Sequence, residues 1–445
     1  MKDYIEMTRE ELHEELSRLM ERYSEEKSQG YKLDMSRGKP DPIQLNLSMG
    51  MLQQNPYDLI YTRKGTDVRN YGELAGVEEA KELFADVLGV KMENIIMGGQ
   101  SSLCLMYDFM IKALVLGVYG GKKPWGQQGK IKFLCPVPGY DRHFRICEEF
   151  GIEMINIPMS PTGPDMELVK KYAESDEKVK GIWCVPKYSN PQGYTYSPET
   201  VRAFAALKPA ADDFRIFWDN AYYVHGFREQ DDYLLNIFDA CREMGSEDMV
   251  YEFMSTSKVT FSGAGVAVFA ASKNNVDFLL KQMGVQTIGY DKINQLRHVK
   301  FFKNADGLRE HMKKQADYLR PKFDCALAAL KSGLGECGIG TWTTPNGGYF
   351  ISYDGLPGTS RRCVELCREA GVKLTDSGAA FPYGMDPEDK NIRIAPSYPT
   401  TEQLYNCLKV FCLCQRIAAA EVLLRDNSKV EPHADPKEAR ELTTD

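Results

Sequence analysis

The sequence predicts an α/β protein with a mostly parallel central sheet and a second, smaller α/β domain. Three observations favour this fold class: short apolar runs alternate with longer segments of helical periodicity, the runs resemble buried strands, and polar residues or glycines follow several of them. Such alternation is typical of parallel strands that helices cover on both faces. The predicted strands are Asn94–Met97, Ile131–Cys135, Met154–Ile157, Gly181–Val185, Arg215–Trp218, Met249–Met254 and Val266–Ala270.

Changes in residue pattern divide the chain into two predicted domains and a tail. We expect a large domain over residues 55–320 and a small domain that joins residues 1–54 to residues 321–425. Residues 426–445 are polar and contain proline, so a mobile or loosely docked tail is expected there. In the small domain, helices are predicted over Tyr318–Lys331, Arg361–Ala370 and Thr401–Ala420, and strands over Tyr349–Tyr353 and Ile392–Ala395.

The small domain is predicted to begin with an amphipathic helix. Thr8 and Glu11 fit a capping box, in which each side chain satisfies a backbone amide of the other residue. Apolar residues then recur at helical spacing at Leu12, Leu16, Leu19, Met20 and Tyr23. Gly30 is the predicted stop, so this helix is expected to pack on the body of the protein without a catalytic role.

Composition excludes several classes of protein. The 445 residues are 43% hydrophobic and 27% charged, and 55 basic against 63 acidic residues give a net charge of −8. An acidic chain has no electrostatic footprint for nucleic acid or an anionic membrane. No apolar run reaches the roughly 20 residues that span a bilayer, and the N-terminus does not resemble a secretion signal. We therefore expect a cytoplasmic protein.

The twelve cysteines are predicted to be reduced thiols. They are scattered along a long chain with no predicted secretion signal, which argues against a disulfide framework. The pairs Cys363 with Cys367 and Cys412 with Cys414 lack further ligands at the spacing of a zinc site, so no metal site is predicted. Buried thiols acting as small core residues fit this pattern better.

Five strand ends carry residues that together suggest one ligand. Gly98–Ser102 stands between a strand and a helix, where backbone amides favour an anion. Tyr140 could stack on a planar ring, and Asn190 could donate an amide hydrogen bond. Asp219 ends an apolar strand and needs a partner, which a protonated ring nitrogen would supply. Lys258 lies between two buried strands and could act as a nucleophile.

Each of these features also has an ordinary structural explanation. Glycine-rich segments before helices are usually turns, and the Asn190–Gly193 segment has the composition of a turn as well. Tyr140 could be a core or surface aromatic residue, and Asp219 could form a structural salt bridge. A lone lysine is usually solvated, so the argument for Lys258 depends on its position between two buried strands.

Taken in order, these motifs resemble the class I/II aminotransferases, the fold-type-I enzymes that use pyridoxal 5′-phosphate. The resemblance extends from about Ser36 to Ala420. The segments Ser255–Gly265 and Val137–Phe144 look most similar to the MocR-like subgroup, whose members are often described as aspartate aminotransferases. The matching motifs are Arg37–Pro40, Tyr71–Gly72 with Gly76, Gly99–Ser101, Tyr140, Asn190–Pro191, Asp219 with Tyr222, Ser255–Lys258 and Asn391–Ala395.

The resemblance implies a role for each matching residue. Lys258 would form a Schiff base with the cofactor and move the proton during catalysis, with Asp219 and Tyr222 as its catalytic partners. Asp219 would keep the ring nitrogen protonated, Tyr140 would stack on the ring, and Asn190 and Tyr222 would bind the ring 3-oxygen. Phosphate contacts are implied for Gly99, Gln100, Ser101, Ser255 and Ser257.

The same resemblance implies the substrate contacts and the assembly. Arg393 would bind the substrate α-carboxylate in a bidentate manner, with Gly38 and Asn190 beside it. Tyr71 would reach the phosphate from the neighbouring subunit, because family members are usually homodimers. One position departs from the family pattern: Val266 stands where many members have a phosphate-binding arginine. Backbone amides and hydroxyls such as Ser262, or a basic residue from elsewhere, are the predicted replacement.

The function implied is transfer of an amino group from an amino acid to a 2-oxo acid by a ping-pong mechanism. Subgroup resemblance favours aspartate as donor, with 2-oxoglutarate as the expected acceptor. A dicarboxylate needs a second cation, for which Arg37, Arg142 and Arg297 are unranked candidates. The alternatives are transamination of aromatic, alanine or aminoadipate-type substrates, a lyase or decarboxylase on the same scaffold, or a sensor without turnover. A nicotinamide-dependent enzyme is disfavoured, because Gly263–Gly265 lacks the third glycine of that fingerprint.

Overall fold

The computed structural model describes residues 2–425, so the predicted tail lies outside the described residues. Within them the strands are β1 (Leu33–Asp34), β2 (Ile95–Met97), β3 (Lys132–Val137), β4 (Glu153–Ser160), β5 (Gly163–Pro164), β6 (Val179–Cys184), β7 (Arg215–Asp219), β8 (Val250–Ser255), β9 (Ala267–Ala271), β10 (Gly340–Trp342), β11 (Ile351–Gly355), β12 (Val372–Lys373) and β13 (Asn391–Ile394).

The α-helices alternate with these strands through the central part of the chain. They are α1 (Arg9–Ser28), α2 (Pro42–Asn46), α3 (Glu78–Leu88), α4 (Ser102–Val115), α5 (Asp141–Glu149), α6 (Met166–Ser175), α7 (Pro198–Ala205), α8 (Ile237–Met244), α9 (Lys273–Gln286), α10 (Lys292–Phe302), α11 (Ala305–Leu334), α12 (Ser360–Glu369) and α13 (Thr401–Arg425).

The central sheet has eight strands in the order β2-β9-β8-β7-β6-β3-β4-β5. Neighbouring strands from β8 through β7, β6 and β3 to β4 are parallel, while β2, β9 and β5 pair antiparallel with their neighbours. The predicted fold class, α/β with a mostly parallel sheet, is confirmed. Each predicted strand of this sheet is present, with ends displaced by at most three residues.

Side chains on the central strands enter two hydrophobic cores, one on each face of the sheet. On β7, Ile216 and Trp218 pack in one core and Phe217 packs in the other, and all three are almost completely buried. Burial on both faces explains why these strands are apolar throughout rather than at alternate positions. The carboxyl ends of the parallel strands therefore meet at one edge, where their following residues come together.

A third hydrophobic core joins the two ends of the chain. Leu12 and Leu19 of α1 pack with α11, α12, α13 and the antiparallel sheet β10-β11-β13. The capping box of Thr8 and Glu11 starts α1 as predicted. Near it, Arg416 of α13 forms a buried ion pair with Glu15. These contacts agree with a small domain built from both chain ends, while its boundaries stay a prediction.

Helix α11 differs most from the sequence-based expectation. It begins at Ala305 rather than Tyr318 and continues to Leu334, so it passes through position 320, where the domain boundary was predicted. Pro321 lies inside the helix, and a proline is more typical of a first turn than of an interior position. The proline and the charged residues before it concealed the first part of this helix.

The structure also describes the state of the cysteines and the apolar character of the helices. All twelve cysteines are free thiols and most are buried, as the sequence predicted. None of the helices within residues 2–425 combines the length and the apolar character needed to cross a bilayer. The cytoplasmic location stays a prediction.

Candidate active site

A cavity of about 320 Å³ lies at the carboxyl edge of the central sheet. The segments that follow β2, β3, β6, β7 and β8 converge on it, and the segment Gly38–Pro40 closes it from the small sheet's side. Most of the predicted site residues line this cavity: Gly38, Gln100, Ser101, Tyr140, Asn190, Asp219, Tyr222, Ser255, Ser257 and Lys258. The sequence thus identified the cavity wall from residues that are far apart along the chain.

Lys258 lies in the turn that follows β8. The turn is fixed by a hydrogen bond from the Val259 amide to the Thr256 carbonyl at 2.9 Å. The Lys258 Nζ is 4.8 Å from the centroid of the Tyr222 ring and 6.0 Å from that of Tyr349. Aromatic rings on two sides hold the amine at the cavity wall, where it can reach a bound molecule.

Asp219 is the last residue of β7, and its carboxylate is buried. His143 Nε2 hydrogen-bonds the Oδ2 atom at 3.0 Å, and because an ionised carboxylate only accepts, the imidazole is the donor. The other oxygen, Oδ1, has no hydrogen-bond partner within residues 2–425. A buried carboxylate oxygen without a partner is costly, so the site suits a ligand that carries an N–H group.

Two residues outside the sequence-based prediction, His143 and Trp183, complete this region. His143 stacks on Trp183 with ring centroids 4.4 Å apart and an interplanar angle of 10°, which fixes the imidazole that holds Asp219. Tyr140 is the N-cap of α5, and His143 lies in the first turn of that helix. Residues three apart lie on the same side of a helix, so the two side chains are neighbours. That spacing was a signal for a shared role, although the pairing with Asp219 depends on the tertiary fold.

The N-terminus of α4 forms the other end of the cavity. Gln100, Ser101 and Ser102 line it where the first backbone amides of the helix have no intrahelical partner. Beside them, the Ser255 hydroxyl donates to the Ser257 hydroxyl at 3.2 Å, and the Ser257 hydroxyl donates to the Gln100 carbonyl at 3.1 Å. Hydroxyls beside a helix N-terminus form a site for a phosphate or another anion.

Neither Gly99 nor Val266 lines the cavity. Gly99 makes a backbone hydrogen bond, and Val266 packs in the hydrophobic core. The Gly99 carbonyl accepts from the Ala267 amide at 2.7 Å, and Gly99 is outside the cavity lining. The Val266 side chain is buried in the hydrophobic core, so this position directs nothing toward the cavity. Ser262 does line the cavity, and its hydroxyl donates to the Ser257 carbonyl at 2.8 Å.

Arg393 lies on β13, behind the wall that Asn190 forms. Its Nη1 donates to Asp141 Oδ1 at 2.8 Å and to Asn190 Oδ1 at 3.3 Å, and its Nε has no partner within residues 2–425. The guanidinium lies 5.0 Å from the centroid of the Phe350 ring. The sequence had given no role to Asp141, which holds this cation in place.

Position 38 requires a glycine because its backbone packs closely against Phe350, the residue whose ring contacts the Arg393 guanidinium. A Cβ atom at this position would lie 2.5 Å from Cζ of Phe350 and 3.1 Å from Cβ of Tyr349. Any other residue would therefore displace the ring beneath the Arg393 guanidinium. The glycine lets the Gly38 backbone form the cavity wall at this point.

The buried aromatic and imidazole groups around the cavity are held neutral. Burial raises the pKa of Tyr140 to about 12, although the positive charge of Lys258 opposes this shift. Burial also raises the pKa of Tyr222. His225 has its pKa lowered to about 3 by burial and by the nearby Lys258 charge. These groups can donate hydrogen bonds or pack on a ligand without adding charge at neutral pH.

The remaining predicted cations and Tyr71 lie away from the cavity of this chain. Tyr71 is 80% exposed and lines no part of it, so a contact with the phosphate requires a second subunit. Arg37 and Arg142 are exposed and Arg297 is half-buried, and none of the three lines the cavity. Lys39, which the sequence analysis did not select, does line it.

A lysine after a central strand, a buried aspartate at the end of the neighbouring strand and an anion site at a helix N-terminus agree with the resemblance to the fold-type-I aminotransferases. Comparison with known proteins identifies the family within this class. The family model described as aspartate amino-transferase matches residues 7–427. The chain belongs to the aspartate amino-transferase family, and its enzyme class is that of the aminotransferases.

Individual relatives span almost the whole chain. A Mycolicibacterium smegmatis protein assigned to the aminotransferases is 44% identical over 406 residues, which cover 91% of this chain and 95% of the relative. An aspartate aminotransferase of Corynebacterium glutamicum is 42% identical over 409 residues, with 92% and 94% covered. A crystal structure of an aspartate transaminase from C. glutamicum has a TM-score of 0.90 at 40% identity and covers 93% of this chain and 97% of that one.

Proposed function

We propose that the protein is a pyridoxal 5′-phosphate-dependent aminotransferase that takes the amino group of aspartate. The acceptor is a 2-oxo acid, 2-oxoglutarate in our proposal, and the two substrates react in turn in a ping-pong mechanism. The observation that carries the proposal is that Asp219 Oδ1 has no partner among residues 2–425, in a cavity that Lys258 also lines. The names of two similar proteins, an aspartate aminotransferase and an aspartate transaminase, support aspartate as the donor.

The donor set of the cavity fits the proposed cofactor from end to end. Asp219 Oδ1 would accept a hydrogen bond from the protonated ring nitrogen, and Tyr140 lies at the wall where a ring face would stack. The amides at the start of α4 and the hydroxyls of Ser255 and Ser257 would hold the phosphate. Asn190 and Tyr222 would bind the ring 3-oxygen. When bound, the cofactor supplies an electron-withdrawing ring that stabilises negative charge on the substrate.

The residues of the chain divide the remaining tasks of the reaction. Asp219, oriented by His143, would hold a proton at the ring nitrogen. The Lys258 amine would take a proton from the substrate Cα and deliver it to the C4′ carbon of the cofactor. Tyr222, whose ring lies 4.8 Å from the Lys258 Nζ, would limit where that amine can move. Arg393 would bind the α-carboxylate with its planar guanidinium, beside Gly38 and Asn190.

The phosphate site would be built without the usual arginine. Val266 packs in the core. The α4 amides and the serine hydroxyls would therefore bind the phosphate in place of the arginine. Ser262 adds a hydroxyl at the cavity wall, and its hydrogen bond to the Ser257 carbonyl fixes the loop that carries both residues. Hydrogen bonds from oriented backbone amides stabilise an anion without a formal positive charge.

We also propose that two chains form a homodimer. Several large apolar side chains are exposed on neighbouring segments: Ile43, Leu52, Tyr57, Tyr61, Tyr71, Val285 and Ile288. The segments are adjacent because Gly289 approaches Gly72 closely and Gln54 donates to the Arg297 carbonyl at 3.0 Å. Large apolar side chains exposed on adjacent segments are typical of an interface. A solution mass of one chain, measured by light scattering at micromolar concentration, would contradict this proposal.

A half-reaction screen tests the proposed activity. Each amino acid is added alone to the cofactor-loaded enzyme, and loss of the visible absorption of the cofactor reports the first transfer. Aspartate should react fastest, and 2-oxoglutarate should restore the absorption and yield glutamate. The control is Lys258→Ala, which removes the proposed proton-transferring amine and should not react at the same rate.

The outcomes separate the alternatives. Aspartate reacting no faster than phenylalanine, alanine or 2-aminoadipate would refute the aspartate assignment. Release of product without consumption of an oxo acid would indicate a lyase or decarboxylase instead. No reaction with any amino acid, although the cofactor is bound, would favour a sensor.

A further inference from the structure

We propose that Lys39 binds the side-chain carboxylate of a dicarboxylic substrate and thereby determines specificity. This inference rests on the proposed function and names the second cation that an aspartate-specific site requires. Among the described residues that line the cavity, Lys39 and Lys258 are the only lysines, and there is no arginine. Lys258 is assigned to the cofactor and to proton transfer, so Lys39 is the cation left for the substrate.

The backbone of Lys39 is held in place from both sides. Ser397 donates to the Lys39 carbonyl at 3.1 Å, and Gly38 packs closely against Phe350. Two residues later, Asp41 forms a buried ion pair with Lys322 at 2.6 Å. A segment fixed at both ends presents its side chain at a defined place, which lowers the entropic cost of binding a ligand.

The side chain of Lys39, by contrast, is exposed and carries an available charge. Its Nζ lies 3.9 Å from the centroid of the Tyr398 ring. The pKa of the nearby Asp34 carboxyl is lowered against the effect of burial, and the Lys39 charge contributes to this shift, but the hydrogen bonds to this carboxylate come from Ser36. Arg393, the proposed α-carboxylate site, is paired with Asp141 and therefore differs from Lys39 in this respect. A cation that has an aromatic neighbour and forms no hydrogen-bonded ion pair within the described residues can pair with a carboxylate that arrives with the substrate.

The position of Lys39 also suits a second carboxylate. Gly38 packs against Phe350, whose ring supports the Arg393 guanidinium at 5.0 Å from its centroid. Tyr398, the neighbour of the Lys39 amine, follows Arg393 by five residues on the segment that leaves β13. Lys39 and Arg393 are therefore held by adjoining parts of the structure, as recognition of the two carboxylates of a small amino acid requires.

Lys39→Gln tests this inference, because glutamine keeps much of the length and polarity but removes the charge. Loss of one charge-assisted hydrogen bond should lower kcat/KM for aspartate about 10- to 100-fold, with alanine changed less than about threefold. Lys39→Arg should retain most of the aspartate activity. Lys32→Gln is the matched control, since Lys32 is an exposed lysine of the same segment that does not line the cavity.

Succinate and butyrate provide a readout that does not depend on turnover. Both lack an amino group, and only succinate has two carboxylates. Succinate should protect the wild-type enzyme against thermal unfolding more than butyrate does, and this difference should disappear in Lys39→Gln. Equal loss for aspartate and alanine would indicate damage to the site as a whole and would overturn the inference.

The two proposals fail in different ways. A wild-type enzyme that reacts with aspartate, together with a Lys39→Gln variant that keeps its full preference for aspartate over alanine, refutes the role of Lys39 alone. The second cation would then come from another residue, including one on a second subunit. A wild-type enzyme that reacts with no amino acid refutes the proposed function first.

Discussion

At the residue scale, the chemistry depends on pairs of side chains that are distant in sequence. Asp219 has one oxygen held by His143, which in turn stacks on Trp183, and the other oxygen is left for a ligand. Arg393 is held in the same way by Asp141, with its Nε unpartnered within the described residues. In both cases hydrogen bonds to neighbouring side chains fix the orientation, and one polar atom is left to bind a ligand.

Asp219→Asn should retain the fold and lose most of the turnover. The amide has nearly the shape of the carboxylate but cannot hold a proton at the ring nitrogen by charge. Loss of a charge-assisted hydrogen bond corresponds to a fall in kcat on the order of 100-fold. Single-turnover kinetics measures this fall, and a melting temperature close to that of the wild type shows that folding is intact. An unchanged kcat would contradict the proposed role of Asp219.

At the element scale, strands that lie in the middle of the sheet were the easiest to predict. For example, β7 was expected at Arg215–Trp218 and spans Arg215–Asp219, because a strand buried on both faces is a continuous apolar run. β10 has no such signature, since Gly340–Trp342 is short and only partly buried. Its place is set by pairing with β11, a tertiary contact that local sequence does not contain.

One residue of a central strand departs from that apolar pattern. Glu252 lies in β8 between β7 and β9, and Asn220 donates to its carboxylate at 2.7 Å. Burial raises the pKa of Glu252 from 4.5 to about 7. The folded state therefore binds a proton that the unfolded state has released over this range, so stability falls as the pH rises from about 4.5 to about 7.

Glu252→Gln should remove this pH dependence, because the amide oxygen can still accept from Asn220 and carries no charge to bury. The variant should exceed the wild type in free energy of unfolding by on the order of 1–3 kcal/mol at about pH 8, with a much smaller difference at about pH 5. Urea denaturation at both pH values measures this. Glu21→Gln, at an exposed position of α1, serves as control and should show no such difference. Equal effects of Glu252→Gln at both pH values would contradict the argument.

At the scale of the whole molecule, the fold brings positively charged side chains together at the cavity, although the chain as a whole is negatively charged. The chain carries a net charge of −8, yet the cavity is lined by Lys39 and Lys258, with Arg393 behind its wall. Motif order was sufficient to predict most of this wall, since the carboxyl ends of parallel strands must meet. The approach of Gly38 to Phe350 could not be predicted, because it joins segments more than 300 residues apart through tertiary packing. Lys39 lies within the matching Arg37–Pro40 motif, but the motif alone gave no reason to assign it a role.

The central claim is that Lys258 is the residue that binds the cofactor covalently, and peptide mapping after borohydride reduction tests it most directly. Reduction makes the bond between lysine and cofactor permanent, so mass spectrometry can locate it. The account predicts one modified peptide, which contains Lys258, and no reducible covalent cofactor in Lys258→Ala. Cofactor fixed to another lysine, or still fixed in Lys258→Ala, would contradict it.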